Sequence, residues 1–182
     1  ANLLAPGLMA GMVIGGLLAD TWPAGPYIWL LASGLHFLLL MAFVGRWLTN
    51  DYSPSDLNPT WFLPAAGIMT SAMTWPGLGP AEFPLLTFGA GLMRWVMLLP
   101  LVFRRRVFEP AVAPELRPPL FIIAAPFGLA AGALLTLFPS LAWQASFLLL
   151  SGGAFFIASL SLQLNFIRKA GITLSWWATT FP

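Results

Sequence analysis

No cysteine occurs among the 182 residues, histidine occurs once, and charged side chains make up 8% of the chain. The first absence removes disulfides, thiol nucleophiles and cysteine-based metal sites. With His36 as the single histidine and no paired carboxylates inside an apolar stretch, no metal-ligand constellation can be written. Ser33 precedes His36 by three residues, yet no carboxylate stands nearby to orient the imidazole. A hydrogen-bonded packing histidine is therefore expected rather than a hydrolytic pair, and the chain does not read as an enzyme. The stretch "GAGLMRW" has too few glycines and lies too deep in an apolar block for a nucleotide loop. A net charge of +2, with its charges localised, argues against a nucleic-acid partner, and no cofactor is expected.

What is present is hydrocarbon. The chain is 59% hydrophobic and its mean hydropathy is +0.85, more apolar surface than a soluble domain of this length can hide. Seven apolar blocks cover about 3–19, 27–48, 60–75, 84–103, 119–138, 142–164 and 172–182. The expected fold class is an all-α polytopic membrane protein forming one transmembrane domain over 1–182. Its hairpins are expected at about 3–48, 60–103 and 119–164, followed by a partial span at 172–182 that reads as truncated.

Basic residues are distributed on one side only. The connections after the second, fourth and sixth blocks hold Arg46, then Arg104, Arg105, Arg106 and Arg117, then Arg168 and Lys169. The opposite connections hold only Asp20 and Glu82 as charges. By the positive-inside rule the Arg-rich loops are cytoplasmic, with the Arg104–Arg106 cluster anchoring to lipid headgroups. Trp22, Trp75 and Trp143 then fall at one membrane interface, and Trp47 and Trp61 at the other.

Proline recurs with a period. Pro6, Pro64, Pro126 and Pro182 are 58, 62 and 56 residues apart, about one helical hairpin each, and all lie in odd-numbered blocks. A proline inside a span frees a carbonyl and bends the axis, so one helix of each hairpin is expected to be kinked. Small residues keep company with these prolines: Gly7, Gly11 and Gly15, then Gly67 and Ser71, then Gly128 and Gly132, each four apart. Such stripes allow close helix packing, and equally they can leave a smooth wall along a conduit. Their confinement to the proline-bearing spans favours kinked odd helices as an inner ring around a pore, with even helices outside. Hydroxyls on that wall are Thr70, Ser71, Thr74, Thr179 and Thr180. Arg94, near the middle of the fourth block, is expected to pair with a carbonyl at a hairpin or subunit contact, or more sharply to attract anions.

Several segments, in order, resemble the tellurite-resistance/dicarboxylate transporter family, which includes bacterial tellurite-resistance membrane proteins and the plant guard-cell slow anion channels. They are "NLLAPG" (2–7), "VGRWL" (44–48), "NPTWFLPAAG" (58–67), "APELRPPLFIIAAP" (113–126) and "SWWATTFP" (175–182). The resemblance implies ten helices in five hairpins around a central pore, of which about seven spans are present here, and a homotrimer. It implies a phenylalanine plug, matched by Phe181, and transport of small inorganic or organic anions across the bacterial inner membrane. Conduction through a channel or channel-like exporter is the first expectation. A proton-coupled carrier of dicarboxylate, tellurite or sulfite-type oxyanions is the alternative, although no Asp or Glu lies inside a span to carry the proton.

Overall fold

The computed structural model describes residues 4–111, 113–114, 117–171, 173 and 175–176. Among them every regular element is helical: α1 (Leu4–Leu17), α2 (Gly25–Thr49), α3 (Phe62–Met73), α4 (Glu82–Phe108), α5 (Ala125–Leu137), α6 (Trp143–Ser161) and the short α7 (Leu164–Arg168). Tight 3₁₀ turns run over Pro54–Asp56, Pro59–Trp61 and Pro118–Ile123. Four segments are long and apolar enough to cross a membrane: Gly25–Thr49, Glu82–Phe108, Pro118–Leu137 and Trp143–Ser161.

Pro64 and Pro126 lie inside odd-numbered apolar segments, as expected, and each stands in the first turn of its α-helix. Pro64 is the third residue of α3 and Pro126 the second of α5, each preceded by a 3₁₀ segment. In the first turn a missing N–H costs nothing, because that donor has no intrahelical acceptor. The carbonyl four residues back is taken up locally. The Phe62 N–H is directed to the carbonyls of Pro59 and Thr60, and that of Ala124 to those of Phe121 and Ile122. Pro6 is the third residue of the described α1. Asn58 sets the approach to α3, its side chain accepting from the Thr60 N–H at 3.0 Å while Pro59 follows it in the turn. The sharp return from α3 to α4 uses Gly77 and Gly79 at φ 72° and 77°, left-handed backbone that residues with a Cβ avoid.

Sequential helices pair as hairpins, α1 with α2, α3 with α4 and α5 with α6, while α3 packs between α1 and α5. This gives an inner row, α1–α3–α5, backed by the even-numbered helices. The centre is α3, in which every residue from Pro64 to Ala72 is buried. By contrast α6 buries only Ser146 and Gly153, and exposes Phe147, Leu148, Leu150, Phe155 and Ile157. Such a surface suits a hydrocarbon solvent. An aromatic chain joins three helices: Trp95 of α4 meets Phe127 of α5 at 4.7 Å edge-on, and Phe127 meets Phe156 of α6 at 5.4 Å. Room for the Phe127 side chain comes from Gly152 and Gly153, where an added Cβ would lie 2.9 Å from its ring and 3.1 Å from its Cβ respectively.

Side-chain donors fasten the helices to one another through backbone carbonyls. Trp29 Nε1 of α2 donates to the Ser71 carbonyl of α3 at 3.1 Å, and His36 Nε2 of α2 bonds the Pro64 carbonyl at 3.1 Å. Thr136 Oγ1 of α5 donates to the Met73 carbonyl at 3.1 Å, and Ser146 Oγ of α6 to the Ala131 carbonyl at 3.1 Å. The His36 ring fits because residue 67 is glycine: a Cβ there would lie 2.5 Å from its Cε1 and 2.8 Å from its Nε2. Gly67→Ala is therefore expected to push the imidazole off its carbonyl and cost about 1–3 kcal/mol. Gly128→Ala, with nothing within 4 Å of the new methyl, should be neutral or gain up to about 1 kcal/mol from helix propensity. Thermal unfolding of the two variants in detergent checks the contrast.

Candidate functional site

The small residues of the inner row have two different surroundings. A Cβ on Gly11 would meet the Ala32 Cβ at 3.0 Å, and one on Gly15 would collide with the backbone of Trp29 and Gly25. Gly132 abuts the Met73 side chain, at 2.7 Å from Sδ to the notional Cβ, and Gly67 abuts His36. These four are close-packing positions. Gly7 and Gly128 are exposed and have no atom within 4 Å of a notional Cβ. On α1 the exposed positions Leu4, Gly7, Ala10, Ile14 and Leu17 form one stripe at helical spacing. On α5 the opening is narrower, with Gly128 exposed and Gly132 and Leu135 half-buried. Stripes of identical spacing thus serve packing at some positions and leave open surface at others.

The hydroxyls expected on the wall divide as well. Thr70 and Ser71 are buried within α3, and neither hydroxyl has a hydrogen-bond partner. Thr74, half-buried at the end of α3, spends its hydroxyl on the Thr70 carbonyl at 2.8 Å. Thr179, Thr180, Phe181 and Pro182 lie outside the described residues.

His36 is fully buried, and its bond to Pro64 fixes the Nε2-protonated tautomer when neutral, since a carbonyl can only accept. Its Nδ1 and the Ser33 hydroxyl are both without partners, so the two side chains are not bonded to each other. Arg94 departs from the carbonyl pairing expected of it. It is 4% exposed, and its guanidinium lies 4.1 Å over the Trp47 ring and 5.8 Å from the Phe43 ring, both on α2. Trp47 in turn packs on Trp61 at 5.0 Å. Two tryptophans that sequence position assigns to a membrane interface therefore have a second use, as a platform for a buried cation. Their proximity to Arg94 was unreadable because the three residues come from α2, the loop before α3, and α4. The carbonyl-binding roles of Trp29, Thr136 and Ser146 also escaped notice; an isolated polar side chain within an apolar helix was the available signal.

The inner row carries no ionisable group: the sequences of α1, α3 and α5 contain no Asp, Glu, Lys, Arg or His. Apolar helices paired in sequential hairpins, with α3 buried between α1 and α5, define an all-α polytopic membrane protein. Residues 3–182 match the family model SLAC1, voltage-dependent anion channel, and the chain belongs to that family. It is 26% identical over 166 residues to S-type anion channel SLAH3 of Arabidopsis thaliana, covering 86% of this chain and 25% of the relative. S-type anion channel SLAH2 of the same plant is 28% identical over 165 residues, 85% of this chain and 30% of the relative. The tellurite resistance protein TehA homolog of Haemophilus influenzae is 25% identical over 180 residues, 93% of this chain and 52% of the relative. The chain thus spans a quarter to about half the length of these relatives.

Open surface at Gly7 and Gly128 has a direct chemical check, since the 182 residues contain no cysteine to interfere. In the membrane-embedded full-length protein, Gly7→Cys and Gly128→Cys should react with a charged, water-soluble thiosulfonate, and Gly11→Cys should not. Protection of both open positions in the bilayer, with labelling restored in denaturant, places those faces against lipid.

Proposed function

We propose that this chain supplies three hairpins and part of a fourth to a passive anion channel or channel-like exporter, whose conduit runs along the inner row. The observation that carries this is the neutrality of α1, α3 and α5. A wall without fixed charge holds anions only through hydroxyls and backbone dipoles. Weak binding of that kind lets an ion leave as readily as it enters, which conduction requires. Selectivity then follows the cost of shedding water, so nitrate and iodide pass more readily than chloride. Kinship with proteins named as S-type anion channels supports the same substrate class.

By resemblance, Phe181 is the plug. Among residues immediately preceding the repeated prolines, Ala5, Leu63, Ala125 and Phe181, only the last is aromatic. A bulky uncharged ring among the small neighbours Ala178, Thr179 and Thr180 excludes water and stops a hydrated anion. Pro182 frees the carbonyl of Ala178, and the resulting bend directs the ring. The full-length assembly is a homotrimer joined through its outer helices. It sits in a bacterial inner membrane with the Arg-rich ends of the hairpins in the cytoplasm.

One observation favours the second reading, a proton-coupled carrier of dicarboxylate, tellurite or sulfite-type oxyanions. His36 is a titratable group within a span, buried, with an unpartnered Nδ1 that could take a proton. A further relative is named for tellurite resistance.

Flux of a labelled anion into liposomes carrying the full-length protein, with and without a pH gradient, separates the two. Passive conduction is expected: flux indifferent to the gradient, and unchanged in direction in His36→Gln. Acceleration by an inward proton gradient that disappears in His36→Gln establishes the coupled carrier instead. In bilayer recordings Phe181→Ala should raise anion conductance severalfold and Phe181→Leu less. Unchanged currents in a well-expressed Phe181→Ala protein remove the plug.

A further inference from the structure

Arg94 is a charge taken out of water, and among the described residues no carboxylate pairs with it. Its Nε and Nη1 are buried and have no hydrogen-bond partner. Stacking on Trp47 satisfies the face of the guanidinium only; the N–H donors project in its plane, away from the ring. A buried cation with idle donors is strongly unfavourable unless an anion or several waters complete it. The structure leaves room for such a partner: a cavity of about 110 Å³, lined by Phe43, Trp47, Tyr52, Trp61, Pro64 and Arg94. One water needs roughly 10–15 Å³ of such space, so the volume admits a small inorganic anion such as a halide or nitrate together with a few waters. The lining offers no carboxylate, and the Pro64 carbonyl is already engaged by His36.

The cavity is not isolated. Trp47, Tyr52 and Trp61 also line a wider pocket of about 340 Å³ at the Arg-rich end of the hairpins, together with Arg104 and Arg105. Glu109 is the acidic residue at that mouth, against two guanidinium groups. An anion is therefore drawn to an exposed basic mouth, and behind its shared aromatic wall lies a small chamber holding a single buried cation.

We propose that the Arg94 cavity is a resident anion site, off the inner row, for a small, weakly hydrated monovalent inorganic anion of the halide or nitrate kind. Weak hydration matters because five of the six lining residues, Arg94 being the other, cannot replace a full shell of water. The ion neutralises Arg94 and ties α4 to α2 and to the start of α3. Occupancy consequently reports the anion concentration at the basic mouth to the packing of two hairpins. The site meets the inner row only at Pro64, away from the open positions Gly7 and Gly128, so it stands whether or not that row conducts.

Bromide is the probe. Crystals of the full-length protein equilibrated with bromide should give an anomalous peak against the Nε–Nη1 edge of Arg94. In detergent, the unfolding temperature should climb with the logarithm of bromide concentration relative to gluconate at constant ionic strength, and Arg94→Gln should abolish that climb. No anomalous peak at Arg94 in crystals that show bromide elsewhere overturns the site, as does an Arg94→Gln protein with the wild-type bromide response. Should Arg94→Gln fail to fold, the anomalous map of the unaltered protein decides. Bromide bound at Arg94 in a protein that passes no anion would remove the conduit and keep this site, whereas conduction without bound bromide would do the reverse.

Discussion

The architecture depends on the contact in which the His36 imidazole occupies the place a side chain at residue 67 would fill, and bonds the Pro64 carbonyl at 3.1 Å. In hydrocarbon no water is on hand to soften an unmet polar group, so each such bond ties two helices together in a defined register. Three of these bonds end on α3, at the carbonyls of Pro64, Ser71 and Met73. That concentration explains why α3 is the buried hub of the described chain while its neighbours each keep an exposed face. A side chain at residue 67 would remove one of the two bonds by which α2 holds α3, leaving that of Trp29 to the Ser71 carbonyl.

Polar chemistry is divided by layer. The inner helices contribute carbonyls and a few hydroxyls but no ionisable side chain. The ionisable groups buried in the spans, His36 and Arg94, belong to the backing helices, and each has an aromatic or carbonyl partner. Placing the charges one layer back leaves the inner surface without ionisable groups, while Arg104 and Arg105 gather at the ends of the hairpins.

The helical hairpins and their order were legible in the sequence because hydropathy blocks and the proline period are one-dimensional signals, and the family was legible in the segments that resemble it. The position of Pro64 and Pro126 within odd-numbered apolar segments was legible, but an apolar run does not reveal that the turns ahead of them are 3₁₀ rather than α. Gly7 and Gly11, one helical turn apart, were indistinguishable by spacing, yet one is open and the other touches Ala32. What separates them is the identity of the neighbouring helix, which no local pattern encodes. The Arg94–Trp47–Trp61 stack was hidden for the same reason. Phe181 and Thr180 lie outside the described residues, so for them the resemblance is the whole basis of assignment.

The 3₁₀ segment Pro118–Ile123 ahead of α5 has a mechanical side. A 3₁₀ turn rises about 2.0 Å per residue against 1.5 Å in an α-helix. The 20 residues of Pro118–Leu137 therefore reach about 33 Å, some 3 Å more than the same residues would as a continuous α-helix. Arg117, just before it, is held by its bond to the Phe166 carbonyl at 3.0 Å and by the Phe166 ring at 4.0 Å. Because Pro126 has no N–H to offer the Ile122 carbonyl and its ring would clash there, an α-helix cannot continue back through this segment, so the extra length is a fixed spacer between the Arg117 anchor and α5.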